Sequence, residues 1–83
     1  MYFERMGVLI GYDLKLPNQK GFIKVTSNEG LEAGKFIVFE GVQYKVRRKF
    51  MTNEAGHMIE VTSSTEKVDH LIQVVRRIRY DLL

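Results

Sequence analysis

The sequence predicts a small α+β fold, a five-stranded antiparallel sheet or partly open barrel packed against one C-terminal helix. Three observations lead there. Apolar and polar residues alternate through most of the chain, with the period of half-buried strands. Segments holding glycine, proline or asparagine punctuate that alternation at hairpin spacing. Residues 64–82 carry instead a helix-start signal and an apolar stripe of helical period.

Residues 6–16 place Val8, Ile10, Tyr12, Leu14 and Leu16 on one face and Gly7, Leu9, Gly11, Asp13 and Lys15 on the other. The two outer glycines leave room for a bend or for close approach by another backbone. Pro17-Asn18 ends this strand, because proline presets the turn dihedral and asparagine tolerates it. Residues 21–26 form the second strand, with Ile23 and Val25 on one face and Phe22, Lys24 and Thr26 on the other. The glycine-containing, acidic segment 27–34 reads as a loop from which Leu31 turns back onto the core.

A central hairpin follows over residues 35–50. Phe36-Ile37-Val38-Phe39 is apolar on both faces, as a strand covered on each side would be. Glu40-Gly41 is its turn, with glycine in the left-handed region. Residues 42–50 alternate again, Val42, Tyr44, Val46 and Phe50 pointing one way and Gln43, Lys45, Arg47 and Lys49 the other. Arg48 falls on the apolar side, which marks a bulge or a side chain reaching past the core edge. Asn53-Glu54-Ala55-Gly56 is a second hairpin turn, leading to a strand at 57–62 with Ile59 and Val61 inward. With strands thus at 6–16, 21–26, 35–39, 42–50 and 57–62, the spacing of Gly34, Gly41, Tyr44 and Val46 resembles that of small SH3-like or OB-like barrels. That likeness is one of architecture and names no family.

In the last segment Ser63 and Glu66 form a capping box, and Val68, Leu71, Val75, Ile78 and Leu82 line one stripe with Ile72 beside it. Glu66 and Asp69 precede Arg76, Arg77 and Arg79, the order the helix dipole favours. The same stretch is rich in β-branched residues, and Val74, Ile78 and Tyr80 also alternate as a strand would; on that alternative the protein is an all-β barrel. Capping and charge order favour the helix.

Eighty-three residues make one domain, 1–83, with a thin core that homo-oligomerisation would supplement. At 45% hydrophobic and 28% charged residues the composition is that of a folded domain rather than a disordered tail. Without cysteine there is neither a disulfide framework nor a thiolate metal site, and a reducing, cytoplasmic setting is expected. The Val8-Leu9-Ile10 run is too short for a signal-peptide core or a membrane span, so no membrane partner is expected.

The chemistry expected is binding rather than catalysis. Ser27, Ser63 and Ser64 lie in turn or cap contexts without a nucleophile-elbow motif, and the glycines at 30, 34 and 41 fit turns rather than a phosphate loop. His57 and His70 have no metal-type spacing to Glu60, Glu66 or Asp69, and no cofactor is implied. Two basic clusters stand out on a chain of net charge +3. Lys45, Arg47 and Lys49 recur at strand spacing, about 6.5–7 Å apart, close to the phosphate repeat of a nucleic-acid strand, and Arg48 adds a fourth cation. Arg76, Arg77 and Arg79 form the second cluster. If the two share a face they make one positive groove, with Phe22 or Tyr80 as a stacking platform. The ordinary roles of such charges, protecting an exposed strand and compensating a helix dipole, compete with this reading. DNA or RNA is thus the expected partner, bound electrostatically with little base specificity. The alternative is a protein partner or self-association through an apolar edge or through Tyr2, Phe3 and Phe22, as in an accessory subunit or an inhibitor of a larger enzyme.

Overall fold

The computed structural model describes residues 9–51 and 56–77. Six strands lie within them: β1 (Ile10–Lys15), β2 (Ile23–Ser27), β3 (Phe36–Phe39), β4 (Val42–Met51), β5 (His57–Ser63) and β6 (Ile72–Arg76). They close into a barrel in the order β1-β2-β6-β3-β4-β5. Two antiparallel three-stranded ribbons, β1-β2-β6 and β3-β4-β5, are joined along two parallel seams, β6 with β3 and β5 with β1.

The alternation in the sequence builds the interior. Tyr12 and Leu14, Val25, Ile37 and Phe39, Val46, Ile59 and Val61, and Ile72 and Val74 are all buried and come from all six strands. Leu31 tucks fully under the loop between β2 and β3, as its isolated apolar position predicts. At the hairpin between β3 and β4, both central residues of the turn have positive φ, Glu40 at 51° and Gly41 at 82°. That geometry matches the right-handed twist of the flanking strands.

The expected C-terminal helix over 64–82 is not formed among the described residues, and the all-β alternative holds, with six strands in a mixed sheet instead of five antiparallel ones. Ile72 and Val74 are buried at a spacing of two, whereas Leu71 and Val75 of the helical stripe are exposed. β-Branched residues lose side-chain freedom in a helix and pack well on a pleated surface. The slot between β2 and β3 supplies the ladder partners that decide the matter. The Ser63–Glu66 box starts no helix: Ser64 Oγ, not Ser63, accepts the N–H of Glu66, at 3.2 Å, and closes a small turn. Residues 64–71 carry the chain from β5 to β6, anchored by Gln43, whose Nε2 donates to the Glu66 carbonyl at 2.8 Å and whose carbonyl accepts the Ser64 N–H at 3.4 Å.

A second correction lies in β4. Its register against β5 shifts between Val46 and Arg48, leaving Arg47 as the extra residue of a bulge. The faces therefore change over. Lys49, opposite the buried Ile59, takes the inner phase, while Phe50, opposite Met58, is exposed to solvent instead of facing the core. Lys45, Arg47 and Lys49 do not share one face.

Candidate nucleic-acid interface

The bulge splits the first basic cluster. Lys45 lies on the outer face, opposite Phe36, with its ammonium 5.4 Å from the ring centre. Arg48, also outward, donates from Nε to Glu60 at 2.7 Å and covers the Phe50 ring at 5.0 Å. Lys49 reaches Glu32 at 2.8 Å. This hydrogen bond raises the pKa of Lys49 and lowers that of Glu32, and the Arg48 hydrogen bond likewise holds Glu60 below the ordinary carboxylate range. Arg47 is exposed at the bulge and makes no ion pair among the described residues. Two of the four cations are thus held by carboxylates.

The second cluster is built by β6 and the residues beside it. Arg76 follows the buried Val74 in the inner phase but sits at the rim, where Nε donates to Glu40 Oε2 at 2.5 Å and Nη2 to Oε1 at 3.3 Å. Its guanidinium lies 5.6 Å from the centre of the Phe39 ring. The hydrogen bond to Arg76 depresses the pKa of Glu40 and raises that of Arg76. Arg77 donates its backbone N–H to the Lys24 carbonyl at 3.0 Å, and its side chain runs across the outer face to lie over Gly11, where a β-carbon would overlap the guanidinium. The outer-face glycine noted in the sequence therefore admits a side chain rather than a backbone. Arg77 has no carboxylate partner among the described residues.

Phe22 stands next to this pair. It precedes β2 in the outward phase, is 49% exposed, and carries the Lys24 ammonium 5.5 Å from its ring centre. Lys24 also pairs with Asp13 at 3.4 Å. Phe22, Ile23, Lys24, Arg76 and Arg77 line a cleft of about 350 Å³. A second hollow of about 260 Å³ adjoins it at the barrel end, sharing Ile23 and Arg76 and bounded by Leu16, Gln19, Phe39, Glu40, Val42 and Tyr44.

The two basic clusters do not meet. Val74 pairs with Phe39, so Arg76 stands level with the Glu40-Gly41 turn, whereas Lys45 pairs with Phe36 at the opposite end of β3, about 16 Å away along the strand, with Arg48 and Lys49 beyond it. No single groove joins them. What the structure does bring together is Phe22 with Arg76 and Arg77. Lys24 completes that set and was not singled out in the sequence, although it follows Phe22 at the i+2 position that puts strand residues on one face. Tyr2, Phe3, Arg79 and Tyr80 lie outside the described residues.

The histidines serve other contacts. His70 Nε2 meets both carboxylate oxygens of Glu29, at 2.9 and 2.8 Å, and the His57 ring lies 6.2 Å from that of Tyr12. Among the described residues no three His, Asp or Glu side chains are grouped so as to hold a metal ion, and no helix is long and apolar enough to cross a membrane. No protein-family model, curated protein or solved structure matches the chain.

Proposed function

We propose that this chain is a small non-enzymatic module that binds single-stranded nucleic acid with little base specificity. One observation carries the reading: a half-exposed aromatic ring, Phe22, is flanked in one cleft by three cations, Lys24, Arg76 and Arg77. An aromatic face accepts any unpaired base, and adjacent cations neutralise the phosphates that follow it. A duplex offers its phosphates but keeps its base faces stacked, so the ring favours single strands. Lys45, Arg47, Arg48 and Lys49 form a separate basic surface along which a longer strand would continue. The cysteine-free chain fits a reducing compartment such as the cytoplasm.

Fluorescence anisotropy with short single-stranded and duplex DNA and RNA, across a salt series, tests this. Single strands are expected to bind at micromolar or tighter affinity, with a log–log salt slope of about −1.4 for two neutralised phosphates while Arg76 is held by Glu40. Phe22→Ala should weaken binding about tenfold, the scale of one lost stacking contact. The DNA and RNA arms identify the ligand. Absence of binding at low salt, or duplex preference indifferent to Phe22→Ala, would overturn the reading.

A second reading, a protein-interaction or assembly module, is favoured by the end of β4. Phe50 is 37% and Met51 64% exposed there, beyond the part of β4 that pairs with β3. Sedimentation across a concentration series checks it: a dimer that Met51→Lys dissolves supports an assembly surface, and a concentration-independent monomer removes self-association.

A further inference from the structure

We infer that Glu40 is a resident competitor for phosphate: its carboxylate occupies the edge of the Arg76 guanidinium that a nucleotide phosphate in the adjoining cleft would take. This rests on the nucleic-acid reading above. Arginine presents five N–H donors in a planar fork, and a carboxylate and a phosphate use the same paired edge. Glu40 holds that edge through Nε and Nη2. Arg76 lines both hollows, so it is the side chain through which the Phe22 cleft adjoins the hollow that Glu40 lines.

Two further observations point the same way. Glu40 has φ of 51° in a two-residue turn, a position where asparagine followed by glycine is the favoured pair. A non-glycine residue without the short side chain of asparagine is disfavoured there. The local backbone therefore gives no reason for glutamate, and the ion pair with Arg76 does. The pair is also open to exchange: the side chains of Arg76 and Glu40 are 57% and 51% exposed, so solvent and a competing anion both reach it. Phe39 lies under the guanidinium and would keep Arg76 in place once the carboxylate swings away. Of the other ion-paired carboxylates among the described residues, Asp13, Glu29, Glu32 and Glu60, none has a positive φ and none lines either hollow.

The test compares the parent chain with Glu40→Asn, which suits the turn and removes the carboxylate, using labelled single-stranded oligonucleotide over a salt series, with melting temperature measured in parallel. Glu40→Asn is expected to bind about two- to fivefold more tightly, the scale of a released surface ion pair. Its salt slope should steepen by about 0.7 as one more cation becomes free for phosphate, with no loss of melting temperature. In an Arg76→Ala background the same substitution should give no gain. Equal affinities of parent and variant, or a gain of the same size without Arg76, would overturn the competitor role and leave the nucleic-acid reading standing. No binding by either chain would overturn both. Binding by the variant alone supports both.

Discussion

The hydroxyl of Tyr12, an inward residue of β1, accepts the backbone N–H of Leu31 at 2.9 Å, tying the barrel wall to the loop that covers one end of the core. Leu31 is fully buried and Tyr12 is 3% exposed, so the N–H has no solvent to turn to. Tyr12→Phe strands that donor and is expected to cost about 1–3 kcal/mol. Leu31→Ala leaves a cavity and should cost about 2–5 kcal/mol. The two residues share one contact, so the double variant should lose less than the sum of the single losses. Urea unfolding of the three variants measures all of these.

The C-terminal strand gives a sharp contrast between neighbours. Val74 is 1% exposed and Val75 is 55% exposed. Val74→Ala should therefore destabilise by about 1.5–3 kcal/mol, the worth of a buried valine side chain. Val75→Lys should stay within about 0.5 kcal/mol of the parent. A helix carrying the stripe through Val75 would reverse that order, so thermal melts of the two variants separate the architectures.

How far the sequence carried depends on which physical signal each residue obeys. Strand alternation placed Tyr12, Leu14, Val25, Val46, Ile59 and Val61 inside, because it follows from the pleat itself. Two things escaped it. The bulge at Arg47 follows from how β4 registers on β5, and a change of register by one residue moves every later side chain to the other face. The fate of residues 72–76 was fixed by a slot between β2 and β3 that no local pattern encodes, and tertiary pairing overrode a modest capping signal. The site was legible only in parts. Phe22, Arg76 and Arg77 were visible as residue types, but their meeting depends on β6 pairing with β2, a contact between residues distant in sequence.

Three carboxylates give the stability a defined acid limb. Hydrogen bonds from Lys49, Arg76 and Arg48 lower the pKa values of Glu32, Glu40 and Glu60 below their ordinary 4.5. A depressed folded-state pKa contributes stability that is present above the unfolded value and lost as pH falls through the folded one. Below about pH 4.5 the unfolded chain takes up these protons first, and the melting temperature should fall. Replacing all three with glutamine should flatten that limb, and added salt should shrink the difference because the pairs are exposed. Melting curves from pH 7 to pH 3 for parent and triple variant check this.

Gly11 separates folding from binding. It lies on the outer face of β1, and an added β-carbon would meet only the far end of the flexible Arg77 side chain. Gly11→Ala should leave stability unchanged or raise it by up to about 1 kcal/mol through the unfolded chain's lost freedom. It should also move the Arg77 guanidinium from its present place and weaken oligonucleotide binding about two- to fivefold, the scale of a single exposed charge contact. Denaturation and anisotropy on the same preparation test both halves; unchanged affinity would show that the position of Arg77 does not matter to the ligand.

The separation of the basic clusters yields the last prediction. With Lys45 and Arg76 at opposite ends of β3, one short oligonucleotide cannot engage both surfaces as it could a continuous groove. Lys24→Ala with Arg77→Ala should therefore abolish most binding of a short single strand, whereas Lys45→Ala with Arg47→Ala should change it little. Lys49 is left out of the second set because it is held by Glu32, and removing it would perturb the fold as well as the charge. Lengthening the oligonucleotide should restore a role for Lys45 and Arg47, since a longer strand can continue from the cleft along the barrel. If the Lys45 and Arg47 pair instead dominates at every length, the ligand tracks β4, and Phe22 and its neighbours are a bystander.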